Sequence, residues 1–179
     1  MIMSRPQTPK PAKLVIGFFL REKDLVVPVV KALTEKFGPV DIVSPRLPFN
    51  FTTYYEPEMG KPLFRRMLAF ERLIKQSALS EIKRITNDLE LAYLKNGKRM
   101  VNLDPGYLLR ERFVLATGKN YSHRIYIGQR IYADLTLIYT KGRFMKLPWT
   151  YPDYAEQNML INLERVRNKY VIDLKQTYA

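Results

Sequence analysis

Lys13 to Leu20 reads KLVIGFFL, eight residues with no polar side chain after the first. An apolar run without alternation leaves no face for water, which predicts a central strand buried on both sides. Leu14 to Leu20 is far short of the roughly 20 residues that cross a bilayer. Basic residues precede the run (Arg5, Lys10), as in a secretory signal. However, the run ends in Arg21-Glu22-Lys23-Asp24 with no small-residue cleavage site, so it is read as a strand.

The pattern beyond it alternates. Asp24 is placed to cap a helix whose face is Val26, Val30, Leu33 and Phe37, with Pro28 in its first turn and Gly38-Pro39 as its stop. Val40 to Ser44 predicts a second strand. Pro45 to Gly60 holds three prolines and four aromatics (Phe49, Phe51, Tyr54, Tyr55) and reads as a long irregular loop with a function or a face to cover. Leu63 to Ile74 fits both periods and is read as a strand through Phe70. Leu79, Ile82, Ile85, Leu89 and Tyr93 predict a helix over 77–94, ended by Asn96-Gly97. Arg99 to Leu103 reads as a short strand and Asp104-Pro105-Gly106 as a tight turn. Strands follow over 113–117, 123–127 and 131–139, then a Lys141-Gly142 hairpin into 143–147, and a final helix over 153–171.

This order predicts an α+β protein: a ferredoxin-like β-α-β-β-α-β unit with an antiparallel β extension and a C-terminal helix. A flatter three-layer arrangement is the alternative. Residues 1–12, with Pro6, Pro9 and Pro11, read as a disordered tail, and 13–179 as a single domain.

Composition narrows the chemistry. There is no cysteine, which excludes disulfides, zinc fingers, iron–sulfur ligation and a cysteine nucleophile, and fits the cytoplasm. A single histidine, His123, argues against a conventional zinc hydrolase. The cofactor is unknown. Magnesium held by carboxylates and substrate phosphate stays open. The formal net charge is +13 and is uneven: residues 95–130 hold eight Lys or Arg against Asp104 and Glu111, and 141–149 add Lys141, Arg143 and Lys146 with no acid. Such a field draws polyanions, so a nucleotide or nucleic acid is the expected partner class, with no membrane contact expected and any protein partner unknown.

No phosphate loop, dinucleotide loop or nucleophile elbow occurs. Four constellations remain. Asn102 and Asp104 point the same way from a strand end, with Tyr107 beyond them; Asp104 can serve as a base or a magnesium ligand, or bond its own backbone in the turn. Around His123, Lys119 and Arg124 can hold phosphate and the imidazole can shuttle a proton, although alternation turns His123 and Arg124 opposite ways. Trp149 and its tyrosine neighbours can stack a base, or can cap the core with Asp153 starting the last helix. Tyr55 can stack as well, beside Glu56 and Glu58, which read either as acid and base or as solvated loop carboxylates.

Phe51-Thr52 with Tyr54-Tyr55-Glu56-Pro57-Glu58-Met59-Gly60, Asn102-Leu103-Asp104-Pro105-Gly106-Tyr107, Ser122-His123-Arg124-Ile125-Tyr126 and Pro148-Trp149-Thr150-Tyr151-Pro152-Asp153-Tyr154 together resemble a prokaryotic family catalogued as domain of unknown function 4416. The resemblance implies membership and transfers no catalytic residue. Three functions stay open. The first is binding of a phosphate-bearing ligand through a basic face, with Lys119, Arg124 and Arg143 on phosphate and Tyr55 or Trp149 stacking. The second is an enzyme on a small phosphorylated substrate, with Asp104, Glu56 and His123 acting. The third is a protein-interaction subunit whose contact patch is 45–60.

Overall fold

The computed structural model describes residues 5–177. Residues 1–4 of the expected tail, and 178–179, lie outside the described residues. Residues 5–11 carry no regular structure, and the Pro11 carbonyl accepts the Tyr170 hydroxyl at 2.7 Å.

In chain order the elements are β1 (Ala12–Leu20), α1 (Val26–Phe37), β2 (Val40–Val43), β3 (Leu47–Phe49), α2 (Glu56–Met59), β4 (Leu63–Ile74), α3 (Leu79–Ala92), β5 (Leu94–Lys95), β6 (Lys98–Arg99), β7 (Val101–Leu108), β8 (Arg112–Thr117), β9 (Arg124–Tyr126), β10 (Tyr132–Thr140), β11 (Arg143–Lys146) and α4 (Gln157–Thr177). Nine strands form one antiparallel sheet in the order β11-β10-β8-β7-β1-β4-β2, with β3 beside β4 and β9 beside β10; β5 and β6 form a separate hairpin. The protein is α+β, and its C-terminal helix is α4.

All nine residues of β1 are buried, as the unbroken apolar run requires. The strand pairs along both edges, with β4 and β7. Leu14, Ile16, Phe18 and Leu20 pack with Val29 and Leu33 of α1 and Ile82 of α3. Val15 on the opposite face packs with Met159, Leu163, Val166 and Tyr170 of α4. Each fully buried side chain of this size contributes about 1.5–3 kcal/mol. The sheet is therefore covered by α1 and α3 on one face and by α4 on the other.

Several local expectations are corrected. Asp24 does not cap α1: it lies in a 3-10 turn, and Leu25 stands at the helix start without a side-chain bond. Residues 45–60 are irregular only in part, since β3 pairs with β4 and α2 follows, with Phe49 and Tyr55 set against Phe19. β4 continues to Ile74. Asn96 and Gly97 do not stop α3. They form the left-handed tip of the β5–β6 hairpin, at φ 52° and 72°. Asp153 does not start the last helix either. It is drawn inward by Arg65, and Glu156 instead accepts the Asn158 and Met159 amides at 2.8 and 3.2 Å.

The most consequential correction is at Asp104-Pro105-Gly106, which forms no turn. These residues are the middle of β7, opposite Gly17, Ile16 and Val15 of β1. On the other edge of β7 the pairing with β8 covers only Leu108, Tyr107 and Gly106, and stops there. The Leu103 amide and carbonyl bond to α3 side chains, and alternate residues of a strand present their backbone to the same edge, so Pro105 faces β8 as Leu103 faces α3. Proline has no N–H to give, and the ladder ends. At Gly106 a Cβ would lie 2.5 Å from the Val114 carbonyl, so only glycine lets the two strands come together below the split.

Candidate functional site

The parting of β7 and β8 opens a cleft of about 600 Å³. β7 supplies Asn102 and Asp104, α3 supplies Lys83, Asn87 and Glu90, and the end of β8 runs along the far wall as Thr117-Gly118-Lys119. The segment before α2 adds Phe51, Tyr54 and Tyr55, and Tyr151 and Asp153 close the circle.

The edge of β7 is not left bare. Lys83 donates to the Leu103 carbonyl at 2.8 Å, and the Leu103 amide donates to Glu90 at 2.7 Å. Two buried side chains of opposite charge thus take the place of the missing strand. Burial pushes the Glu90 carboxyl above its ordinary value, while Lys83 and the Leu103 amide pull it down.

Arg65 of β4 sits beneath the cleft, in register with Phe19 on β1. Its guanidinium bonds to Asp104 at 2.8 Å, contacts Asp153, and lies 4.9 Å and 4.7 Å from the ring centres of Phe49 and Tyr154. Burial alone would lower its pKa, but Tyr154, Asp153 and Asp104 raise it further than burial lowers it, so Arg65 is a fixed cation. Asp104 accepts in addition from Asn102 at 2.8 Å, and Arg99 bonds to Asn102 at 3.1 Å and to Glu58 through two contacts of 2.8 Å. One chain of bonds therefore runs Glu58, Arg99, Asn102, Asp104, Arg65, Asp153. Within it Asp104 keeps 27% of its side-chain surface, so its carboxylate is both held in place and open to a ligand. Burial raises Tyr55 to about 12, so its hydroxyl stays protonated at neutral pH and can donate.

At the mouth, the Lys119 ammonium lies 4.7 Å from the Tyr54 ring centre and 3.3 Å from its hydroxyl. Arg124 donates to the Tyr151 hydroxyl at 2.7 Å and to the Lys119 carbonyl at 3.0 Å. Asp104, Asn102, Tyr55 and Lys119, named from the sequence, thus meet in one cleft, with Arg124 bonded to its rim. The others lie elsewhere. Glu56 pairs with Lys61 at 3.5 Å and borders a second depression of about 340 Å³ with Arg21, Lys95 and Lys98. Tyr107 is half-buried against the apolar core, and Arg143 is exposed on β11. His123 precedes β9, so alternation does not separate it from Arg124. Both reach one oxygen of the buried Asp134, at 3.2 and 2.9 Å, and the imidazole stacks on Trp149 at 4.8 Å and 11°. Trp149 is fixed by a bond to the Leu135 carbonyl. Among the described residues, no three His, Cys, Asp or Glu side chains gather so as to hold a metal ion.

Sequence reasoning missed Arg65, Glu90 and Lys83. Once 63–74 is a strand, period two puts Arg65 on the inward row of Leu63, Met67 and Ala69, where a charge demands a partner. Lys83, Thr86 and Glu90 likewise recur at helical spacing beside the apolar stripe of α3, and all three are buried.

Fold and site together define an α+β protein whose antiparallel sheet divides around a polar, ring-walled cleft. The chain belongs to the family described as domain of unknown function DUF4416, whose model matches residues 10–170. No curated protein and no solved structure matches it. Among the described residues, no helix is long and apolar enough to cross a membrane.

Proposed function

We propose that this protein binds a small phosphate-bearing ligand of the nucleotide class in the β7–β8 cleft. The observation that carries the reading is the cleft's composition: a volume within the range of small-molecule sites, walled by Phe51, Tyr54, Tyr55 and Tyr151 and opening beside Lys119 and Arg124. The rings suit a base, and the cations at the mouth suit phosphate. Gly118 leaves the backbone there uncovered, with nothing within 4 Å of where a Cβ would stand. Thermal unfolding with increasing AMP, GMP, CMP or UMP tests it. Saturation by one of them at a hundredfold over its Kd stabilises by about 2.7 kcal/mol. Lys119→Ala weakens the effect. No shift with any nucleotide at millimolar concentration overturns the proposal.

One observation favours a second reading, catalysis on a phosphorylated substrate: Asp104 is a cleft-facing carboxylate oriented by Arg65 and Asn102. In that reading Asp104 accepts a proton or faces a magnesium ion carried by substrate phosphate. Asp104→Asn then abolishes turnover and leaves ligand binding within about tenfold. The proposed architecture also includes a ferredoxin-like unit, supported by the strand order β7-β1-β4-β2 and by α1 and α3 sharing one face.

A further inference from the structure

We infer that the ligand in the cleft is the end of a single-stranded nucleic acid, and that the strand continues over the exposed rings around β9. The inference rests on the cleft reading above and names its ligand.

Charge is the first argument. From Arg112 to Tyr151 the chain carries seven Lys or Arg and one acid, Asp134. Asp134 is buried and bonded by Arg124 and His123, so every charge this stretch presents to water is positive. A surface of that kind fits a polyanion.

The rings are the second argument. Tyr121, Tyr126 and Tyr151 are 66%, 59% and 47% exposed, unusual for side chains of this size on a surface with no apolar cover. They are held, not loose. Tyr121 and His123 meet in an edge arrangement at 5.3 Å, His123 stacks on Trp149, and Tyr126 leans on Tyr132 at 5.5 Å. Arrayed rings among cations are what a single strand needs: faces for bases and charges for the backbone, without reading sequence.

Continuity is the third. Arg124 bonds to both Tyr151 and the Lys119 carbonyl, which belong to the mouth of the cleft. Tyr126 follows two residues along β9, on the same side as Arg124 and about 7 Å from it. The cleft therefore leads onto the track. A duplex holds its bases inside and presents no face to these rings, so the fit is to a single strand.

The test is fluorescence anisotropy on the full chain with labelled U8 and dT8, UMP and TMP as competitors, and an eight-pair duplex as control. The octamer is expected to bind at least tenfold more tightly than its mononucleotide, with binding that falls as salt rises at a log–log slope of about −0.7 for each phosphate contacted. Tyr121→Ser with Tyr126→Ser, both surface changes checked by thermal midpoint, lowers octamer affinity about tenfold or more. Comparison of U8 with dT8 tells which sugar is preferred. A mononucleotide that binds as tightly as its octamer overturns the track and leaves the cleft reading standing. So does an octamer indifferent to loss of both tyrosines, or a duplex that binds as well as the single strand. An octamer that binds without competition by any mononucleotide overturns the cleft reading, and with it the placement of the strand's end.

Discussion

Arg65 and Asp153 pair inside the protein, their side chains keeping 4% and 9% of their accessible surface. The pair joins β4 to the segment before α4, and through Asp104 the same guanidinium reaches β7. Removing it leaves two carboxylates without their cation. Arg65→Met is therefore expected to lower the unfolding free energy by about 3–5 kcal/mol, as for other buried pairs broken on one side. Urea denaturation measures it. A loss below about 1 kcal/mol would mean that the arginine contributes nothing to the fold beyond its stem.

A second buried cation fastens the opposite end of the same helix. Lys13 has no exposed surface, bonds to Asp173 of α4 at 2.7 Å and contacts Asp41 of β2, while Lys169 reaches both acids from outside. Lys13→Met keeps the stem and removes the charge. The expected cost is again about 3–5 kcal/mol, and the loss should show first as faster amide exchange in the last turns of α4. Protection that falls evenly over the whole chain, with α4 no more affected than β1, would contradict this anchoring role.

The fold was legible wherever one signal was sufficient. The run 14–20, the α1 stripe, the strands after 112 and the Lys141-Gly142 hairpin lie close to where the pattern puts them. Misreadings came where a local signal competed with a distant partner. Asp-Pro-Gly favours a turn by itself, but Val101–Leu108 has β1 along its whole length, and pairing with β1 outweighs turn propensity. Asp153 has the chemistry of a cap, and Arg65, eighty-eight positions earlier, claims it instead. Of the site, Asp104, Asn102, Tyr55 and Lys119 were visible as polar or aromatic residues in unusual strings. Lys83 and Glu90 were hidden because they stand in for a missing strand, and Arg65 because its partners Asp104 and Asp153 lie far along the chain.

Gly17 and Tyr154 offer a test of packing beneath the cleft. A Cβ on Gly17 would lie 2.8 Å from the Tyr154 hydroxyl and 3.9 Å from the ring carbon that bears it. Gly17→Ala alone is expected to cost about 1–3 kcal/mol through overpacking. Tyr154→Phe deletes the clashing atom, so the double variant should recover most of that cost, with a coupling of at least about 1 kcal/mol in a double-mutant cycle. Additive effects would show that the strain at Gly17 lies in the β1 backbone and not against the phenol.

Acid should loosen the α2 side of the cleft before the rest. The two-pronged bond from Arg99 holds Glu58 below its ordinary value of 4.5, and with the bond from Lys98 to the Pro57 carbonyl it ties α2 to the β6 end of the hairpin. A carboxyl whose folded value is depressed stabilises fully above its unfolded value and loses that contribution as pH falls through the folded one. Wild-type stability is therefore expected to decline more steeply between pH 5 and pH 3 than that of Glu58→Gln, which starts lower and has no proton to take up. The two curves should run parallel above about pH 6 and converge in acid. Chemical denaturation at stepped pH gives both. Curves that stay parallel into acid would place the linkage on another carboxylate, and Asp173, also held low by lysine bonds, is the one to change next.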